Sequence, residues 1–105
     1  MQVLNQKVLE KYWKKHANAK AWLRGWLRTV GSDECKWQSI PDVRKGYPAA
    51  DGGVKVDSGG NVTVFDAGGN KHRPITSIVY AKQVVVIHEV MPHSEYTKDL
   101  WKERY

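Results

Sequence analysis

The chain has 105 residues and a mass of 12.0 kDa, a length that fits one domain over residues 1–105 with no room for a second core. Seventeen Lys and Arg against 11 Asp and Glu give a formal charge of +6 and a pI near 9.5, which favours a polyanionic partner such as RNA, DNA or an acidic protein. With 41% apolar residues the chain is no disordered basic tail, its single Cys35 excludes an intramolecular disulfide and any zinc site needing two thiolates, and its longest apolar run, Val84 to Ile87, is far below the roughly 20 residues of a membrane helix.

Residues 1 to 20 are charged and polar with no signal-peptide core, so the expectation is a cytoplasmic protein without membrane contact. From Val3 to Val30 the apolar residues Leu4, Val8, Leu9, Tyr12 and Trp13, then Ala19, Trp22, Leu23, Trp26 and Leu27, recur at helical spacing. The spacing predicts two amphipathic helices, broken at His16 to Ala19 with Asn18 as N-cap of the second. Gly31-Ser32 supplies its stop through a left-handed or turn conformation. Gly and Pro residues between Ser32 and Gly60 mark a connecting segment with one helical turn near Ile40 to Lys45.

From Asn61 the period falls to two. Val62 to Phe65, Arg73 to Tyr80 and Val84 to Met91 read as three strands of an antiparallel meander, with a fourth at Val54 to Val56. The first pair is joined through Gly68-Gly69-Asn70. Val84 to Ile87 reads as a central strand covered on both faces, and Ser94 to Tyr105 as a closing helix capped by Ser94. The fold class expected is α+β: two N-terminal helices packed on a C-terminal antiparallel sheet, with a short C-terminal helix.

Two clusters carry candidate chemistry. In Gly68-Gly69-Asn70-Lys71-His72-Arg73 a glycine turn feeds cations onto a strand, an arrangement able to hold a phosphate, or equally an ordinary hairpin with solvated bases. In His93-Ser94-Glu95-Tyr96, at a strand-to-helix junction, His is an acid or base, Glu orients it, and Tyr donates to developing charge or stacks on a base. The plainer reading has Ser94 capping, Glu95 favouring the helix N-terminus and Tyr96 filling core. His16, His72, His88 and His93 show no metal-site spacing, although His88 and His93 flank one strand end. Lys7, Lys11, Lys14, Lys15 and Lys20 form either a nucleic-acid stripe or a solvated helix face. Of the five tryptophans, Trp13, Trp22 and Trp26 fall at core spacing, leaving Trp37 and Trp101 as the freer stacking candidates.

These segments together resemble the HigB family of type II toxins, within the RelE-like mRNA interferases. The resemblance runs through Leu9 to His16 and Ala21 to Trp26, Lys36-Trp37 with Ile40 to Lys45, and Tyr47 to Asp51. Its most specific parts are Val64 to Arg73 and the strand Val84 to Val90 followed by His93-Ser94-Glu95-Tyr96. It implies a RelE-like fold and a ribosome-associated endoribonuclease that cuts translated mRNA with neither metal nor cofactor. The partners implied are mRNA, the ribosome and a helix-turn-helix HigA-type antitoxin, which alone would contact operator DNA. Matched residue by residue, Arg73, His93 and Tyr96 take catalytic roles, and Asn70, Lys71 and Glu95 substrate-binding ones. Three positions depart from the pattern: Asp66 for the common Asn, Pro74 for an aliphatic residue, implying an edge or bulged strand position, and Pro92 for Thr. The alternative is a non-catalytic RNA- or antitoxin-binding module with a degenerate site. A DNA-binding regulator acting alone is disfavoured, because no helix-turn-helix with a basic recognition helix is evident.

Overall fold

A computed structural model describes residues 1–69 and 71–105. The chain forms a mixed α and β fold around one five-stranded sheet in the order β1-β5-β4-β3-β2. Strands β2 (Asp51–Lys55), β3 (Asn61–Val64), β4 (His72–Val79) and β5 (Val84–Pro92) are the expected meander, each pair antiparallel. The fifth strand, β1 (Gln2–Leu4), lies parallel to β5 at the sheet edge, with Val3 opposite Val85. Val3 and Leu4 therefore do not begin a helix. Asn5 turns the chain out of β1 in a left-handed conformation at φ 67°, which Asn tolerates, and its amide donates to the Ile87 carbonyl at 3.2 Å.

Helix α1 (Gln6–Lys15) follows, then a 3-10 turn over Ala17–Ala19 and helix α2 (Lys20–Val30). The residue entering α2 is Ala19, not Asn18, whose side chain is committed to a long-range contact described below. Gly31 ends α2 at φ −77°, with no left-handed residue. A Cβ there would sit 2.8 Å from the Leu27 carbonyl oxygen, so the glycine serves close approach. Helix α3 (Ile40–Gly46) is the expected turn, with Pro41 in its first turn.

Leu9 and Tyr12 of α1 and Leu23, Trp26 and Val30 of α2 share one buried cluster with Phe65, Ala67, Val85, Ile87 and Val90. The opposite sheet face carries a second cluster of Val56, Val62, Val64, Ile75 and Met91, closed by Trp101. Val84 and Val86 are only half-buried, so the outer face of β5 is covered less than its hydropathy implied. Trp37 and Trp101 are not free: they are 8% and 1% exposed, while Trp13 and Trp22 are half-buried. The C-terminal region is not one helix. Helix α4 (His93–Tyr96) has Pro92 at its N-cap and Ser94 within it, and Asp99 at φ 60° separates it from a 3-10 turn over Leu100–Arg104.

Pro74 lies inside the sheet, not on its edge. It faces Val90 of β5, and its carbonyl accepts from Phe65 N–H at 3.0 Å, but the ring has no N–H to return that bond. The register shift falls one step on, between Ile75 and Thr76, and leaves His88 as the extra residue of β5. Among the described residues no helix is long and apolar enough to cross a membrane.

Candidate active site

The antiparallel register of β4 and β5 brings the two sequence clusters together. His72 faces Pro92 and Arg73 faces Met91, and the His93 N–H donates to the Lys71 carbonyl at 3.1 Å. Gly68 and Gly69, at φ 69° and 66°, supply the left-handed turn that reverses the chain, and Ala67 and His72 exchange both backbone hydrogen bonds at its base. Asn70 lies outside the described residues.

Alternation along β4 sends neighbouring side chains to opposite sheet faces. Arg73 goes to the tail side, its guanidinium 5.1 Å from the centroid of the Tyr96 ring. The Tyr96 ring stacks on Trp101 at 5.4 Å and 18°, and the Trp101 indole N–H donates to the Tyr96 carbonyl at 3.1 Å. A buried indole thus holds the phenol that underlies the arginine. Burial pushes the Tyr96 phenol above its ordinary value, and Arg73 opposes that rise. Tyr96 is protonated at neutral pH and offers an O–H donor, not a base.

Lys71, His93 and Glu95 are exposed, and among the described residues none of their side chains has a partner within the protein. The structure therefore brings Lys71, Arg73, His93 and Tyr96 to one corner, with Glu95 between His93 and Tyr96 on α4. Asp66 borders a cleft of about 220 Å³ lined by Trp22, Tyr47 and Ala50. His88 does not approach His93. Its Nε2 lies 2.6 Å from Ser77 Oγ and its ring 4.9 Å from Tyr105. Among the described residues no group of acidic, His or Cys side chains is arranged to hold a metal. Burial raises the Cys35 thiol, away from the thiolate a nucleophile needs.

Sequence reasoning missed what lies behind this corner. On the helix side His72 is 5% exposed, with Nδ1 2.6 Å from the Tyr12 hydroxyl and Nε2 3.1 Å from Asn18 Oδ1. The His16 ring stacks on Tyr12 at 4.2 Å and lies 5.7 Å from His72. Burial pushes His72 below its ordinary value, helped by His16 and Lys71, and burial raises Tyr12 to about 12. The only sequence signal was a lone histidine at an inward position of a strand.

Charge is distributed unevenly. Residues 6–30 hold seven Lys and Arg against Glu10 alone, while the rest of the chain carries ten of each sign. On α2, Lys20, Arg24 and Arg28 step along one face at i, i+4 and i+8, bordering a groove with Glu10, Trp13 and Leu27. None of the three forms an ion pair among the described residues.

The sequence model of the HigB_toxin family, the RelE-like toxic component of a toxin-antitoxin system, matches residues 19–99. That range includes the whole corner from Lys71 to Tyr96 and excludes Tyr12 and His16. No curated protein matches the chain.

Proposed function

The chain belongs to the HigB family of RelE-like toxins of toxin-antitoxin systems, and from that premise we propose that it is a ribosome-associated endoribonuclease cutting mRNA without a metal. RelE-like toxins are in general endoribonucleases, and the family implies an antitoxin partner. A HigA-type helix-turn-helix protein fills that role in this reading. The observation that carries the proposal is the convergence of Lys71 and Arg73 with His93 and Tyr96 from a motif some 20 residues away, through one backbone bond and one cation–π contact.

Cleavage by the neighbouring 2′-hydroxyl requires three services: a base for the attacking hydroxyl, positive charge for the phosphorane-like transition state, and an acid for the departing 5′-oxygen. Arg73, with Lys71, supplies the charge, and a guanidinium can bind two phosphoryl oxygens at once. His93, exposed and without an internal partner, supplies the acid or base. Tyr96 fixes Arg73 and presents its O–H toward RNA, since Trp101 and Arg73 already engage its ring. Glu95 orients His93 or favours the N-terminus of α4, and Asn70 is a substrate-binding residue in this reading. The cation-rich helices provide a surface for ribosomal RNA, a feature that equally suits the alternative of a binding module without chemistry.

Induced expression of wild type, Arg73→Ala and His93→Ala, with growth curves and mapping of mRNA 5′ ends, decides between the two. The nuclease reading expects growth arrest and new in-frame ends from wild type, both lost in either variant. A soluble, folded wild type that neither arrests growth nor creates new ends hands the case to the binding module.

A further inference from the structure

His72 joins the hairpin of the proposed machinery to the helix side. Its backbone closes the hairpin on Ala67, its side chain is gripped by the helix side, and its neighbours Lys71 and Arg73 are the two cations of the corner. The donor and acceptor pattern of the grip favours one protonation state. Asn18 Oδ1 can only accept, so His72 Nε2 carries a proton, and Nδ1 is left as acceptor for the Tyr12 O–H. Neutral imidazole satisfies both bonds while keeping the Tyr12 proton paired.

A second proton on Nδ1 would set a donor against a donor. The Tyr12 hydroxyl would have to rotate and accept, leaving its own proton without a partner in a buried site. Among the described residues the charged groups that act on the ring, His16 and Lys71, both oppose a second proton. Tyr12 and His16 face the ring from α1 and the turn after it, Lys71 adjoins it, and the opposing β5 residue is Pro92. No carboxylate forms an ion pair with it among the described residues.

We propose that His72 is a proton-sensitive positioning residue: neutral, it clamps the base of the hairpin to the helix side and holds Lys71 and Arg73 in register with His93 and Tyr96, and protonation releases them. The functional half of this inference rests on the nuclease reading, whereas the structural half does not. Loss of the clamp displaces Arg73 from the phosphate, and a displacement of about 1 Å costs up to roughly a hundredfold in rate. The toxin would therefore be self-limiting in acidified cells.

The test uses the full chain in two arms. In the first, NMR follows the His72 imidazole between neutral pH and about pH 5, together with the Tyr96 ring and the His93 amide on the other side of the sheet. The expected result is that both follow the His72 midpoint. Tyr12→Phe, which removes the hydrogen bond favouring the neutral ring, should move all three midpoints upward together. Tyr96 and His93 signals that ignore the His72 midpoint in both proteins overturn the proposal, whatever the nuclease does.

In the second arm, RNA cleavage is measured across the same range for wild type and His72→Gln, whose amide reproduces one acceptor and one donor without titrating. Wild type should lose activity tenfold or more on the acid side. The Gln variant should keep its neutral rate and lose that acid limb, and an unchanged limb in Gln overturns the functional half. A wild type that cuts no RNA at any pH refutes the nuclease reading, and the first arm then decides the clamp alone.

Discussion

The two faces of the sheet at the start of β4 are built by different means. On the helix side His72 enters a cluster continuous with the main core, gripped by residues 54 and 60 positions away in sequence. On the tail side Arg73 rests on Tyr96 and Tyr96 on Trp101, all from the last third of the chain, joined by a four-residue helix and a 3-10 turn. We infer that adjacent residues belong to regions of unequal stability. A rigid backing and a lightly held front would suit the proposed site, which has to admit RNA, because binding segments come from the low-stability end of a structure.

The comparison breaks most visibly at Trp26 and Trp101, each 1% exposed. Trp26→Ala opens a cavity at the centre of the helix-side cluster, where it meets Phe65, and should cost about 3–5 kcal/mol, enough to unfold much of a marginally stable domain. Trp101→Ala removes a side chain of the same size, yet its loss should be local. Hydrogen exchange should show residues 93–105 opening while the amides of β5 and α2 stay protected. Global unfolding by Trp101→Ala at the same denaturant concentration as Trp26→Ala would erase the proposed inequality.

Next in size are the substitutions at the corner itself. Arg73→Ala or His93→Ala should lower RNA cleavage by about 10²–10³-fold with little change in melting temperature, since in the proposed reaction both act through charge or proton transfer in the transition state. Arg73→Lys keeps the charge but not the two-pronged geometry, so it should recover only part of the loss. A full recovery would reduce Arg73 to a point charge and make its seat on Tyr96 irrelevant.

The antiparallel meander was legible because β-strand alternation and the paired glycines of the hairpin are local signals, and with it came the meeting of Arg73 with the His93 region. The three residues of β1 were not, because a short parallel edge strand has no period of its own and Leu4 and Val8 mimic one helical turn. The break in the tail comes from Asp99 in a left-handed conformation, which Asp tolerates but does not announce. The clamp on His72 was illegible for a different reason. Asn18 looked like a cap because Asn at a helix start is a strong local prior, and nothing local reveals a bond to a residue 54 positions away. Local chemistry in this chain predicts elements well, and the wiring behind the site comes only from topology.

A smaller effect sharpens the contrast through pH. The folded-state values of His72 and His88 are both pushed below the ordinary 6.5, chiefly by burial. For a base lowered on folding, the unfolded chain binds the proton first. Stability is therefore complete above about pH 6.5 and falls as pH drops toward the lowered folded values. Melting temperature should decline on acidification through that window in wild type. His72→Gln should flatten part of the decline and His88→Gln another part, which separates the clamp from the Ser77 contact on the opposite face.

The smallest expected change in stability lies on the helices, and its sign is informative. Lys20, Arg24 and Arg28 repel along one face of α2, and Lys20 in the first turn opposes the helix dipole. A merely structural face would gain nothing from this arrangement. Arg24→Ala relieves two like-charge neighbours and should raise stability by a few tenths of a kcal/mol, measured by urea denaturation. The same substitution should weaken binding to purified ribosomes and lower the slope of log affinity against log salt by about one. Opposite signs in the two measurements mean that these cations are held against their own repulsion for a polyanionic partner. If stability and binding fall together, Arg24 is part of the helix packing, and the row has no docking role.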